Sequence, residues 1–272
     1  MKKILFFETK EFTGATRVTR TLAKAAAKDY QVAFAQVGDC VIDEIESAII
    51  KEKPQILFSS FVTINPDVIA LGKAKGLEVV VRTDYKFTDL SEALNIRIKE
   101  TYPCADLLIA QTAEMADDLK HIIGVQSERV KVIENPLDED TILQGASEPN
   151  PFPNNGKFHF LWVGREDPIK GLDTLKESFT IAKRQLQNID LTLITNDPNP
   201  YKWMKHCDCL VISSQSEASP NVLREALFLG TKVISTDCSP TVRDLLPSDS
   251  ICPICNPETL AALMLQMIHK QV

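Results

Sequence analysis

Short apolar runs recur along the chain, separated by stretches in which apolar residues return every three or four positions. Ile4–Phe7, Gln31–Ala35, Ile56–Ser59, Leu77–Val81, Leu107–Ala110 and Val130–Ile133 read as buried strands. Arg17–Lys28, Val41–Lys51 and Thr112–Ile123 lie between them with helical spacing. Strand and helix in alternation predict parallel βαβ units. The rhythm pauses at Gln144–Gly156, where Pro149, Pro151 and Pro153 fall at every second position between Gly145 and Gly156. Such a segment continues neither a helix nor a central strand. It predicts a linker, 146–155, between domains spanning 1–145 and 156–272. Strands resume at Phe158–Val163, Leu191–Ile194, Leu210–Ser213 and Lys232–Ser235, with helices at Leu172–Gln187, Pro220–Leu229 and Pro257–His269. The expected fold is α/β: two doubly wound, Rossmann-like domains facing a cleft at their strand C-termini.

Composition narrows the function. The 272 residues carry 30 Lys/Arg against 37 Asp/Glu, a net charge of −7. That balance argues against nucleic acid as a partner, which needs a basic footprint. Residues 1–148 hold 18 Lys/Arg against 24 Asp/Glu, and residues 149–272 hold 12 against 13. The second half is therefore the better host for an anionic ligand. No apolar run reaches the ~18 residues of a membrane span. The run after Met1-Lys2-Lys3 stops at Glu8, too early for a secretory signal. Seven cysteines without a dense framework fit a reduced, cytoplasmic compartment.

Two motifs carry candidate chemistry. Gly164-Arg165-Glu166-Asp167-Pro168-Ile169-Lys170-Gly171 directly follows the strand Phe158–Val163. Arg165 then sits at the strand's end, and Lys170 at the entrance of the next helix, where backbone N–H groups favour anions. An arginine fork and a lysine point charge together suit a diphosphate. Two solvated charges around an ordinary βα turn fit the same spacing. The second motif is Ser213-Ser214-Gln215-Ser216-Glu217-Ala218-Ser219-Pro220-Asn221-Val222-Leu223-Arg224-Glu225. Ser219 reads as an N-cap with Pro220 as the first helical residue. Asn221 and Glu225 share a helix face, and Glu217 precedes the helix. Both carboxylates can face a cleft; a capped surface helix with two solvated glutamates has the same spacing.

These motifs resemble the family-4 retaining glycosyltransferases of the GT-B fold. The similarity rests on Gly-Arg-x4-Lys-Gly, Glu-x7-Glu with Pro-Asn-Val-Leu, and Leu229-Gly230-Thr231-Lys232-Val233-Ile234-Ser235. Weaker likenesses are Gly14-Ala15-Thr16-Arg17-Val18, Ala105-Asp106-Leu107-Leu108-Ile109-Ala110 and Val132-Ile133-Glu134-Asn135-Pro136. The resemblance implies a hexosyl-type transfer from a nucleotide-diphosphate sugar, with retention and without a metal ion or other cofactor. It implies that Arg165 and Lys170 hold the donor diphosphate and stabilise it as it leaves. Glu217 would contact the donor sugar with a catalytic role, alongside Arg165 and Lys170. Glu225 would take the ribose hydroxyls, the backbone around Ser219, Asn221 and Val222 would approach sugar and phosphate, and Gly14 would let the opposing loop come close. The implied acceptor is a glycan or a lipid-linked precursor, which would bring the chain to the inner membrane face as a peripheral contact.

Two departures stand out. The family's further strand and helix after Leu191–Ile194, which help hold the base, are replaced by the turn-rich Thr195-Asn196-Asp197-Pro198-Asn199-Pro200-Tyr201. The family's donor-sugar histidine is absent from Val81-Arg82-Thr83-Asp84-Tyr85, where Asp84 is the candidate replacement. These departures motivate the alternative of a catalytically degenerate binding or partner protein. A hydrolase or epimerase acting on a nucleotide sugar is a third reading. Asp138-Glu139-Asp140 reads as an acidic helix start rather than a metal motif. Cys207, Cys209, Cys252 and Cys255 read as free thiols rather than a zinc set, since Cys209 runs into a buried strand.

Overall fold

The computed structural model describes residues 1–10, 13–38, 41–195 and 197–269. The chain forms two compact units, Met1–Pro136 and Leu137–Val272. The division falls ahead of the 146–155 stretch, because what surrounds that stretch packs with the second unit. Ile142 and Phe152 are both buried there, in one cluster with Tyr201, Met204 and Leu223.

The first unit carries β1 (Lys3–Thr9), α1 (Gly14–Ala26), β2 (Gln31–Val37), α2 (Val41–Glu52), β3 (Ile56–Ser59), α3 (Asn65–Ala74), β4 (Glu78–Arg82), α4 (Glu92–Thr101), β5 (Leu107–Ala110), α5 (Ala113–His121) and β6 (Val130–Val132). Its strands lie in the order β2-β1-β3-β4-β5-β6, and neighbouring strands are parallel. Helices cover both faces, so the strands are continuous apolar runs rather than alternating ones. On one face, Ile4 and Phe6 of β1 pack with Ala23, Ile56 and Phe58. On the other, Leu5 and Phe7 are fully buried. Helix α1 starts in a capping box: the Thr13 hydroxyl accepts from the Thr16 N–H, and the Thr16 hydroxyl accepts from the Thr13 N–H.

In the second unit follow α6 (Glu139–Ala146), β7 (Phe158–Val163), α7 (Leu172–Gln185), β8 (Ile189–Ile194), α8 (Tyr201–His206), β9 (Cys209–Ile212), α9 (Asn221–Phe228), β10 (Val233–Thr236), α10 (Pro240–Leu245), β11 (Ile251–Cys252) and α11 (Pro257–His269). The strand order is β11-β10-β9-β7-β8, all parallel. Alternate residues of β7 feed two cores. Phe158, Phe160 and Trp162 meet Leu175, Leu260 and Met264 from α7 and α11. Leu161 faces Tyr201, Met204 and Leu223 on the opposite side.

Read by strand position along the chain, both units share the doubly wound order 2-1-3-4-5, with a sixth strand added in the first. In such sheets the chain reverses its winding direction between the first and third strands, and ligands bind at the carboxyl ends there. In the second unit those strands are β7 and β9. The loops leaving them are Gly164–Gly171 and Ser213–Pro220, the two segments that carry the candidate motifs. In the first unit the equivalent strands are β1 and β3.

Candidate functional site

The loop after β7 closes into a single 3₁₀ turn, Pro168–Lys170, capped by Asp167 through its Oδ1, which accepts from the Ile169 N–H at 3.1 Å. Gly171 then adopts φ 63° and ψ 34° before α7 begins. A side chain at Gly171 would place Cβ 2.0 Å from the carbonyl oxygen of Ser213. Only glycine both takes this left-handed backbone and lets the two loops touch. Three hydrogen bonds lock the contact. The Ser213 hydroxyl donates to the Lys170 carbonyl at 2.8 Å. The Gln215 N–H donates to the Ile169 carbonyl at 2.7 Å, and the Gln215 side-chain amide donates to the Pro168 carbonyl at 3.3 Å.

That clamp sets Lys170 against Glu217. Lys170 Nζ donates to Glu217 Oε1 at 2.6 Å, and the Ser214 hydroxyl donates to the same oxygen at 2.7 Å. The side chains of Lys170 and Glu217 are 23% and 14% exposed, so neither is a freely solvated surface charge. The Glu217 N–H donates to the Cys238 carbonyl at 3.0 Å, tying the loop to the end of β10. Arg165 is half-exposed, with Nη2 3.7 Å from Asp167 Oδ2. A positive arginine, an ion-paired lysine and a half-buried carboxylate thus come from two loops at one switch point.

Helix α9 corrects one expectation. Its N-cap is Pro220, in extended conformation, with no side-chain cap, and Asn221 is its first residue. Ser219 is buried and its hydroxyl accepts instead from Thr241 Oγ1 at 3.4 Å. Asn221 and Val222 are half-buried at the helix start. Glu225 is only 4% exposed, which removes the solvated-glutamate alternative for this position. Its Oε1 accepts from the buried Tyr201 hydroxyl at 3.4 Å. The shortened bridge delivers that tyrosine. Asn199 Oδ1 accepts from the Tyr201 N–H at 3.2 Å, and Asp197 accepts from the Trp203 indole N–H at 2.8 Å; Asn196 lies outside the described residues. Tyr201→Phe is expected to lower stability by about 1 kcal/mol. Urea unfolding checks this, and an unchanged midpoint would mean that the hydroxyl contributes nothing to Glu225.

Gly14 and Asp84 lie in the first unit. Gly14 is the exposed first residue of α1. Asp84 follows β4 and is half-buried; its Oδ1 accepts from the Val62 N–H at 3.2 Å, in the loop after β3. Behind it runs a buried polar chain. Arg82 Nη2 donates to Asn135 Oδ1, Asn135 Nδ2 donates to Gln111 Oε1 at 3.1 Å, and Gln111 Nε2 donates to the Thr83 carbonyl at 2.7 Å. Burial pushes the Arg82 guanidinium down to about 10, partly offset by the Asp84 charge. Asp84 thus belongs to a first-unit network at the ends of β4 and β5.

Among the described residues no His, Cys, Asp or Glu side chains gather in threes as a metal would require. The six described cysteines carry free thiols, with Cys104 and Cys255 exposed. Burial pushes the Cys207 thiol up to about 12 and the Cys238 thiol up to about 11. Cys209 and Cys252 are buried and shifted in the same direction. No helix among the described residues is long and apolar enough to cross a membrane.

Known proteins resemble the chain in sequence and in fold. A family model described as glycosyl transferases group 1 matches residues 153–270. An uncharacterized glycosyltransferase of Methanocaldococcus jannaschii is 30% identical over 204 residues, covering 63% of this chain and 48% of that protein. N-acetylgalactosamine-N,N'-diacetylbacillosaminyl-diphospho-undecaprenol 4-alpha-N-acetylgalactosaminyltransferase of Campylobacter jejuni is 26% identical over 167 residues, covering 54% of this chain and 46% of that one. The chain thus spans about half the length of these relatives. Among solved structures, Anabaena HepE in complex with UDP-glucose gives a TM-score of 0.74 at 13% identity, over 100% of this chain and 91% of that one. Sucrose-phosphate synthase from Thermosynechococcus elongatus gives 0.77 at 12% identity, over 99% and 90%. The fold is therefore GT-B, with two Rossmann-like domains, and residues 153–270 are similar in sequence to the glycosyl transferases group 1.

Proposed function

We propose that the chain is a retaining glycosyltransferase of the family-4 type, moving a hexosyl group from a nucleoside-diphosphate sugar to a hydroxyl of a glycan or lipid-linked acceptor. The observation that carries this reading is the Lys170–Glu217 pair at the switch point of the second unit, with Arg165 on the same loop as Lys170. In the proposed reaction the bond from sugar C1 to the diphosphate oxygen breaks, and the acceptor oxygen forms a new bond on the same face. The acceptor hydroxyl gives up its proton, and the diphosphate leaves as an anion. Arg165 and Lys170 stabilise the charge that develops on it, as preorganised cations do. No metal ion is needed in that scheme. Glu217 faces the donor sugar, Glu225 takes the ribose hydroxyls, and the start of α9 at Ser219–Val222 brings backbone N–H groups towards the phosphates.

A lipid-linked acceptor is supported by the Campylobacter jejuni relative, whose name places its acceptor on diphospho-undecaprenol. Peripheral contact with a membrane would follow from such an acceptor. One observation favours the alternative of a protein that binds without transferring: the Tyr201 hydroxyl already occupies Glu225, where a ribose would be held.

Ligand-detected NMR against UDP, GDP, ADP, CDP and TDP tests the donor site. The expected result is a preference for one base, weakened about tenfold or more by Arg165→Ala, as when a charged hydrogen-bond partner is lost. No binding to any of the five would overturn the donor reading. With the preferred donor sugar, transfer that needs an acceptor and keeps the anomeric configuration supports the enzyme. Sugar release without acceptor supports a hydrolase, and binding without turnover supports the partner protein.

A further inference from the structure

We propose that Ser214 is a positioning residue, which keeps the Glu217 carboxylate in place when a donor diphosphate draws Lys170 away. The inference rests on the donor-site reading of Lys170 and Glu217. Glu217 Oε1 accepts from two donors of different kinds, Lys170 Nζ at 2.6 Å and Ser214 Oγ at 2.7 Å. Lysine carries its charge on a flexible four-carbon stem, and a diphosphate competes with Glu217 for it. Ser214 cannot move in the same way. It is 3% exposed, and its carbonyl accepts from the Thr236 hydroxyl at 2.5 Å. Its two neighbours, Ser213 and Gln215, are bonded to the Lys170 and Ile169 carbonyls. The hydroxyl is therefore presented from backbone fixed on both sides.

Handing Lys170 from Glu217 to a phosphate strips a half-buried carboxylate of its cation. A carboxylate left without a donor in such a place is strongly unfavourable. The Ser214 hydroxyl remains as a donor to the same oxygen, so the exchange leaves Glu217 both satisfied and aimed. Without it, Glu217 holds Lys170 more tightly, and the diphosphate binds against that pair. Ser214 thus acts through Glu217, and its effect exists only while position 217 presents an acceptor oxygen.

The test pairs a folding measurement with a binding one. Urea unfolding compares Ser214→Ala in the parent protein, in Lys170→Ala and in Glu217→Ala. Lys170→Ala stands in for a lysine drawn away. The midpoint loss from Ser214→Ala is expected to be at least about twice as large in Lys170→Ala as in the parent, and to vanish in Glu217→Ala, which has no acceptor for the hydroxyl. Equal losses in all three backgrounds would overturn the proposal. Ser214→Cys keeps the volume and weakens the donor; it is expected to behave like alanine, and serine-like behaviour counts against the hydroxyl. In the binding arm, Ser214→Ala weakens the preferred nucleoside diphosphate about five- to tenfold, with no such change in Glu217→Ala. An equal weakening in both backgrounds overturns the proposal as well. Failure of the parent to bind any nucleoside diphosphate defeats the donor reading, while the unfolding series still decides whether Ser214 holds Glu217.

Discussion

Gly171→Ala is expected to destabilise the second unit by about 2–5 kcal/mol, summing the left-handed penalty for a residue with a Cβ and the overpacking against fixed backbone. The new Cβ would sit 2.0 Å from the Ser213 carbonyl oxygen, so one of the two loops must shift. The nearby hydrogen bonds from Ser213 to Lys170 and from Gln215 to Ile169 run through the same contact. Displacing it therefore also moves Lys170 from Glu217. A control isolates the clash. Gly230 has φ +74° with nothing within 4 Å of an added Cβ, so Gly230→Ala should lose only about 1–2 kcal/mol. Urea or thermal unfolding of both variants checks the difference. Equal losses would mean that the loop contact at Gly171 carries no particular load.

Lys170→Ala is expected to lower kcat about 10²–10³-fold, the scale on which a single stabiliser of developing charge is worth. The lysine has two tasks in the proposed reaction: it neutralises Glu217 before the donor arrives and the diphosphate as it leaves. Removing it leaves Glu217 with the Ser214 hydroxyl as donor but without its cation, and stability falls by about 1–2 kcal/mol. Lys170→Ala with Glu217→Gln separates the tasks. The double variant should regain stability, because no carboxylate is left without its cation, and should stay inactive. Steady-state transfer rates beside unfolding midpoints read both effects. Recovery of activity in the double variant would show that Lys170 serves only to neutralise Glu217.

Much of the fold was legible where continuous apolar runs were bounded by turn residues. Ile56–Ser59, Leu107–Ala110 and Phe158–Val163 are strands with the expected bounds, because a strand buried on both faces leaves no polar interruption. β11 escaped notice because it is two residues long. α8 was hidden by Pro198 and Pro200, which mark a turn; the helix starts as soon as the prolines end. The linker expectation came from prolines that do punctuate the chain, but α6 before them and Phe152 among them pack into the second unit's core. Ser219 was read as a cap because serine before proline suits one, and the extended Pro220 took that place.

For the site, residue types were legible and partners were not. Arg165, Lys170, Glu217 and Glu225 announce charge at loop ends. That Lys170 meets Glu217 across 47 residues follows from the strand order, which no local spacing encodes. Ser214 carries no local signal, because neither its burial nor its bond to Glu217 shows in the run of serines around it. Tyr201 lay inside a stretch that read only as a missing base site.

The distribution of thiols makes the protein a ready subject for spectroscopy. Cys104 lies in the first unit and Cys255 in the second, both exposed, while burial keeps the thiols of Cys207, Cys209, Cys238 and Cys252 protonated and slow to react. With Cys40 replaced by serine, a maleimide spin label would attach once to each unit without engineering a new cysteine. Electron–electron dipolar measurements between the two labels, taken with and without a nucleoside diphosphate, would then read directly whether the halves of the molecule move as the donor binds.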